Sequence, residues 1–161
     1  MEKVLFVCLG NICRSPAGEG ILKKILKDRG LSDKFHVDSA GIGDWHVGSL
    51  PDIRMRRHGS ERGYSFDSRA RQFVVADFDE FDYIFVMDNA NYQALKSMSR
   101  SGADMDKVYR TGNFIKHHPK NNYVPDPYYG GDGDFELAID LLEDACGAIA
   151  SYISRNKTTD E

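Results

Sequence analysis

Val4-Leu5-Phe6-Val7 runs into Cys8-Leu9-Gly10-Asn11-Ile12-Cys13-Arg14-Ser15-Pro16 near the amino terminus. The apolar run has the length and composition of a strand, and Ser15 with Pro16 reads as an N-cap followed by the first helical position. Residues 8 to 15 therefore lie between the carboxyl end of a strand and the start of a helix. Successive main-chain amides in such a turn form an anion-binding nest. The helix adds its positive end, and Arg14 offers a planar fork that holds a tetrahedral oxyanion bidentately. Cys8 stands at the mouth of this cup, where those fields favour thiolate over thiol and make it a nucleophile. A cysteine at a strand end is by itself more often packing. With Gly10, Asn11, Arg14, Ser15 and Pro16 around it, phosphate chemistry is the stronger reading.

Outward from this loop, strand-like runs recur at Val4–Val7, Phe35–Asp38, Tyr83–Met87 and Lys107–Tyr109, separated by segments of helical periodicity. That alternation predicts a parallel sheet. Ile21, Leu22, Ile25 and Leu26 keep helical spacing, and Gly30 supplies a stop. Phe135, Ala138, Ile139, Leu142, Ala145, Cys146, Ile149 and Ile153 make one apolar stripe, so a closing helix is expected from about residue 134 to 153, with Cys146 in the core. The expected architecture is a single three-layer α/β domain. It has a small parallel sheet of about four strands, helices on both faces, and a phosphate-binding loop after the first strand. The domain is expected to span residues 1–155, leaving a frayed polar tail at 156–161.

The chain has 161 residues and a net charge of −4, enough for one core and too acidic for a dedicated nucleic-acid binder. Arg54, Arg56, Arg57, Arg62, Arg69 and Arg71 cluster instead, either as a solvated helical face or as a collar steering anions to the cup. Cys8, Cys13 and Cys146 make no disulfide framework, and the N-terminal apolar run is too short for a signal peptide or membrane span. A cytoplasmic setting without membrane insertion follows. No C-x-x-C or H-E-x-x-H spacing occurs, so neither a metal nor a cofactor is expected.

Displacing a phosphoryl group from an alcohol also needs a proton donor for the leaving oxygen. The candidate is Asp126, in Pro125-Asp126-Pro127-Tyr128-Tyr129-Gly130-Gly131, within an aperiodic stretch from His117 to Gly133 that reads as a functional loop. Two prolines restrict the backbone around the carboxylate, and two tyrosines offer flat walls. Asp-Pro is also a common turn initiator, and the pairing with the cysteine loop is what favours chemistry.

The stretch from Cys8 to Pro16, with Asp126-Pro127-Tyr128-Tyr129 before the last helix, resembles the low-molecular-weight protein tyrosine phosphatases. Asp38-Ser39-Ala40-Gly41, Ala70-Arg71-Gln72, Phe81-Asp82-Tyr83-Ile84 and Met87-Asp88 extend the likeness over nearly the whole chain. The resemblance implies hydrolysis of phosphotyrosine through a cysteinyl-phosphate. Cys8 attacks phosphorus. Arg14 and the amides of residues 9 to 14, Leu9, Gly10, Asn11, Ile12, Cys13 and Arg14 itself, hold the equatorial oxygens, and Asp126 serves as acid, then base. It further implies that Ser15 bonds the thiolate, that Asn11 and Ser39 brace the loop, that Trp45 faces Tyr128 and Tyr129 across the cleft, and that Asp88 supports the site. Tyrosine-phosphorylated proteins are the implied substrates, with inorganic phosphate or a similar oxyanion as the bound anion. One departure is Asp67-Ser68-Arg69, where many members carry a bracing histidine.

Three other functions fit the same scaffold less well. A thiol-linked arsenate reductase needs further relay cysteines, and residues 70 to 100 contain none. Relatives acting on phosphoarginine carry a smaller polar residue in place of Ile12 and lack the paired tyrosines. A non-catalytic phosphate-binding module has no need of both Cys8 and Asp126. Cys13, five positions from Cys8 along a curled loop, is expected to be a redox partner that captures an oxidised Cys8 as a disulfide.

Overall fold

Four parallel strands pair in the order β2-β1-β3-β4 in the computed structural model, which describes residues 1–155. The expectation for the tail at 156–161 falls outside the described residues. β1 spans Glu2–Cys8, β2 Phe35–Gly41, β3 Tyr83–Val86 and β4 Val108–Arg110. The helices are α1 (Arg14–Asp28), α2 (Ile53–Glu61), α3 (Asp77–Glu80), α4 (Asn89–Met98), α5 (Gly102–Met105) and α6 (Asp132–Ser154), with a 3-10 turn at Thr111–Phe114.

β1 is central, and its residues from Val4 to Cys8 are buried on both faces, which is why the run is apolar without alternation. Val4 and Phe6 join a core with Ile21, Leu22 and Leu26 of α1 and the stripe of α6. Leu5 and Val7 point the other way, into Phe73, Phe78, Phe81 and Leu95. Helices thus cover both faces. Cys146 lies fully inside the first core with its thiol directed at the Gly18 carbonyl, and burial pushes that thiol's pKa up. Among the described residues no helix is long and apolar enough to cross a membrane.

The chain leaves β1 toward β2 on one side and returns through β3 on the other. The loops after β1 and β3 therefore diverge at the carboxyl edge and leave a crevice between them, the usual binding place in an open α/β sheet. The register sets Val7 opposite Val86 and Cys8 opposite Gly41. Cys8 is thus the last residue of the central strand and opens directly onto that crevice.

Two expectations need correction. The helix after the loop starts at Arg14, with Cys13 as N-cap and no side-chain cap bond, so Ser15 is inside the first turn. Pro16 still occupies that turn, where its missing N–H costs nothing. The arginine cluster is neither a free collar nor a merely solvated face. Arg57 pairs with Asp132, Arg62 with Glu136, Asp140 and Glu143, and Arg71 with Asp38 and Asp77, stitching α2 and the following loop to α6 and β2.

Candidate active site

The loop after β1 is held open by its neighbours. Ile42 and Gly43 donate from the main chain to the carbonyls of Cys8 and Leu9, and Asp52, the N-cap of α2, donates to the carbonyl of Ile12. A Cβ on Gly41 would come within 3.0 Å of the Asn11 nitrogen and the Gly10 carbonyl carbon, so only glycine lets β2 approach this closely. Asn11 adopts φ of 57°, the left-handed conformation that asparagine tolerates better than most residues. Among the described residues, no main-chain N–H of residues 9 to 13 donates to a backbone carbonyl. Those donors are left for an anion.

Asn11 also fixes the polarity of the hydrogen bonds behind the cup. Its side-chain oxygen accepts from the Arg71 main-chain N–H at 3.0 Å, so its amide nitrogen must face the two serines. That nitrogen donates to Ser15 Oγ at 2.8 Å and to Ser39 Oγ at 3.0 Å. Ser39 in turn donates to the buried Glu19 carboxylate at 2.6 Å, and Lys23 pairs with the other Glu19 oxygen. Ser15 Oγ, already an acceptor, lies 3.0 Å from Cys8 Sγ and 3.4 Å from the Ala40 carbonyl, either of which can take its proton, and the Ser15 main-chain N–H points at the same sulfur at 3.4 Å. Glu19, absent from the sequence reading, anchors the chain directly through Ser39, while Ser68 of the departing segment is half-buried.

Arg14 is 2% exposed, and its Nη1 donates to Asp88 at 2.6 Å and to the Val124 carbonyl at 2.9 Å. Its Nη2 stands 3.6 Å from the Asp126 carboxylate. Burial works against its charge, yet Cys8, Asp88 and Asp126 outweigh that effect and hold the guanidinium's pKa above its ordinary value. Asp88 additionally caps α4 by accepting from the Asn91 main-chain N–H.

Cys8, Leu9, Gly10, Ile12, Cys13, Arg14, Trp45, His46, Asp126, Tyr128 and Tyr129 line one cleft of about 320 Å³. Trp45 and Tyr129 are largely exposed at its rim, with Tyr128 half-buried between Tyr129 and Arg54. Asp126 Oδ1 accepts from the Tyr128 main-chain N–H. Arg54, held by Asp52, donates to the Tyr128 carbonyl and lies over the Tyr128 and Phe135 rings, which fixes the acid-bearing loop from α2. Cys13 lines the floor as a neutral thiol, because burial first, and the Asp52, Cys8 and Asp126 charges next, push its pKa well up.

The cysteine loop, Asp126, Trp45, both tyrosines, Ser39 and Asp88 are therefore all brought to this one edge. His46, Glu19 and Asp52 carry no signal in the sequence reading, although His46 stands next to Trp45 in a loop bounded by Gly43 and Gly48, and Arg54, read there as part of the arginine cluster, instead holds the acid-bearing loop. Among the described residues His58, Glu61 and Glu136 bring donor atoms within 4.8 Å of one another. His58 is already hydrogen-bonded to Glu136 and Asp132, and Arg62 pairs with Glu136, so this group is a seam between α2 and α6.

Residues 3–159 match the family model described as low molecular weight phosphotyrosine protein phosphatase. A low molecular weight protein-tyrosine-phosphatase of Bacillus subtilis, YfkJ, is 39% identical, with 98% of this chain and 99% of that protein covered. The crystal structure of an Entamoeba histolytica protein tyrosine phosphatase with Hepes in its active site superposes with a TM-score of 0.93 at 44% identity, covering 98% and 99% of the two chains. A Drosophila arginine phosphatase superposes at 0.86 with 35% identity, covering 95% and 98%.

Replacing Ser15 with alanine removes the hydroxyl donor from the sulfur without emptying a large space. A hydrogen bond to a charged group contributes about 1.5–3 kcal/mol, so kcat on an aryl phosphate should fall about 10- to 100-fold. Steady-state kinetics at pH 6 check this, and a kcat within twofold of the unsubstituted protein would exclude the bond from the chemistry.

Proposed function

The chain belongs to the low molecular weight phosphotyrosine protein phosphatase family, and on that premise we propose that Cys8, Arg14 and Asp126 divide the hydrolysis of a phosphotyrosine ester between them. The observation that carries this division is that Cys8 Sγ, the Arg14 guanidinium and the Asp126 carboxylate line one cleft above a loop of undonated amides. The ester phosphate binds with its three non-bridging oxygens on the loop amides and on Arg14. Cys8 Sγ then faces phosphorus opposite the tyrosyl oxygen.

Attack forms the S–P bond as the P–O bond to the phenol breaks, and Asp126 in its acid form gives its proton to the departing oxygen. Asp126, now a carboxylate, takes a proton from the water that attacks phosphorus on the cysteinyl-phosphate. The S–P bond breaks, Cys8 leaves as thiolate stabilised by Ser15, and inorganic phosphate departs. Arg14 and the amides hold the equatorial charge through both steps, which is the larger part of phosphoryl-transfer catalysis.

Ile12, Trp45, Tyr128 and Tyr129 give the slot apolar, aromatic walls that suit a phenyl ring and favour an aryl ester over the guanidino substrate of the arginine phosphatases. The partners are tyrosine-phosphorylated proteins, not nucleic acids, and residues 1–155 make up the catalytic domain. Three free thiols support a reducing cytoplasm as its setting.

The test of the acid is leaving-group dependence. Asp126→Asn should slow phenyl phosphate, whose leaving group is poor, at least tenfold more than p-nitrophenyl phosphate, which departs without help. Equal losses on both would assign the proton to another group.

Cys13 gives the same site a redox role. Peroxide converts the Cys8 thiolate to a sulfenic acid, and the Cys13 thiol condenses with it to form the S–S bond and release water. Mild peroxide should therefore inactivate the protein reversibly. Cys13→Ser should lose activity equally but regain far less with thiol reductant, and peptide mapping that finds Cys8 as a sulfinic acid beside a free Cys13 would refute the capture.

A further inference from the structure

His46 forms part of the cleft wall between Gly10 and Tyr128, and the hydrolysis derived above gives it no task. Its place is set from three sides. The Ser49 main-chain N–H donates to the His46 carbonyl, and Gly48 donates to Ala70, which together hold the loop after β2. The imidazole lies 6.2 Å from the Tyr128 ring, tilted by 48°. Its Cδ2 comes within 3.2 Å of where a Cβ on Gly10 would stand, so the ring lies against the rim of the cup.

The ring is half-buried, and among the described residues neither of its nitrogens has a hydrogen-bond or ion-pair partner. The other charged groups near it are engaged. Arg14 is held by Asp88, Asp126 faces Arg14 and the Tyr128 amide, and Asp52 is chelated by Arg54. Asp44 is exposed two residues away in the chain.

A peptide whose phosphotyrosine fills the cup and slot lays its neighbouring residues across this rim, where Leu9, Trp45, Val47 and Tyr129 are exposed and apolar. A charged side chain brought down on such a surface needs a partner of opposite sign. We propose that His46 is a specificity-determining residue whose imidazolium N–H donates to the carboxylate of an aspartate or glutamate adjacent to the phosphotyrosine. This rests on the phosphotyrosine reading of the cleft. The contact is made alike in the bound substrate and in the transition state, so it acts on KM and kcat/KM.

The test uses three phosphotyrosine peptides identical except for glutamate, alanine or lysine on both sides of the phosphotyrosine, assayed at pH 5.5, below the ordinary imidazole pKa. The unsubstituted protein should favour the glutamate peptide over the alanine peptide about three- to tenfold in kcat/KM, mainly through KM. His46→Gln should bring that ratio close to one, and His46→Glu should invert it in favour of the lysine peptide. Because each ratio is taken within one protein, a general loss of activity or folding in a variant does not imitate the result. A ratio near one or below in the unsubstituted protein, or an unaltered glutamate preference in both variants, overturns the inference while turnover of all three peptides leaves the phosphatase reading standing. Failure to hydrolyse any of the three would refute that reading and the inference with it.

Discussion

Burying a guanidinium is costly unless its charge and its donors are met, and the site is organised around meeting those of Arg14. The partners come from distant parts of the chain: Cys8 at the end of β1, Asp88 after β3, and Val124 and Asp126 in the long aperiodic loop. Val124 also donates from its main chain to the Met87 carbonyl, so the same residue binds both the arginine and the β3 end. One buried cation thus joins both sides of the crevice and brings the acid-bearing loop over the nucleophile. It also explains why Asp88 is at once a helix cap and a counter-ion, since the strand end, the helix start and the arginine meet at that residue.

A second set of hydrogen bonds runs behind the loop and ends at the nucleophile's sulfur. Once the Arg71 N–H fixes the Asn11 amide, each proton from Ser39 and from the Asn11 amide has one sensible direction, and the series ends at Ser15 Oγ, 3.0 Å from the sulfur. The chain is preorganised, because the left-handed backbone at Asn11 and the glycine contact at Gly41 already hold the loop in the geometry an oxyanion requires. Glu19 closes the series here without a histidine at position 68. The bracing function is thus carried by α1, from which Glu19 projects, and less by the segment before Ala70.

What could be read in the sequence was what depends on local pattern. The buried apolar run of β1, the stripe of α6 and the spacing of Cys8 and Arg14 each express one element's own environment, and each is in place. Ser15 reads from its residue type as a helix cap and from the family resemblance as a partner of the sulfur, and the 3.0 Å contact with Cys8 bears out the second. Arg57 and Arg62 looked like part of a free collar because their partners, Asp132, Glu136, Asp140 and Glu143, lie on α6, more than seventy residues further along. Glu19 and His46 escaped notice for the same reason. Their surroundings are assembled by packing between elements, and no spacing within the chain announces them.

If Cys8 carries the phosphoryl group as a covalent intermediate, rapid quench during turnover of an aryl phosphate radiolabelled at phosphorus traps it on the protein. A burst of phenol approaching one equivalent of enzyme is expected, with label recovered on the peptide that contains Cys8. Phenol release without a burst and without protein-bound label, or label on any residue other than Cys8, would contradict it.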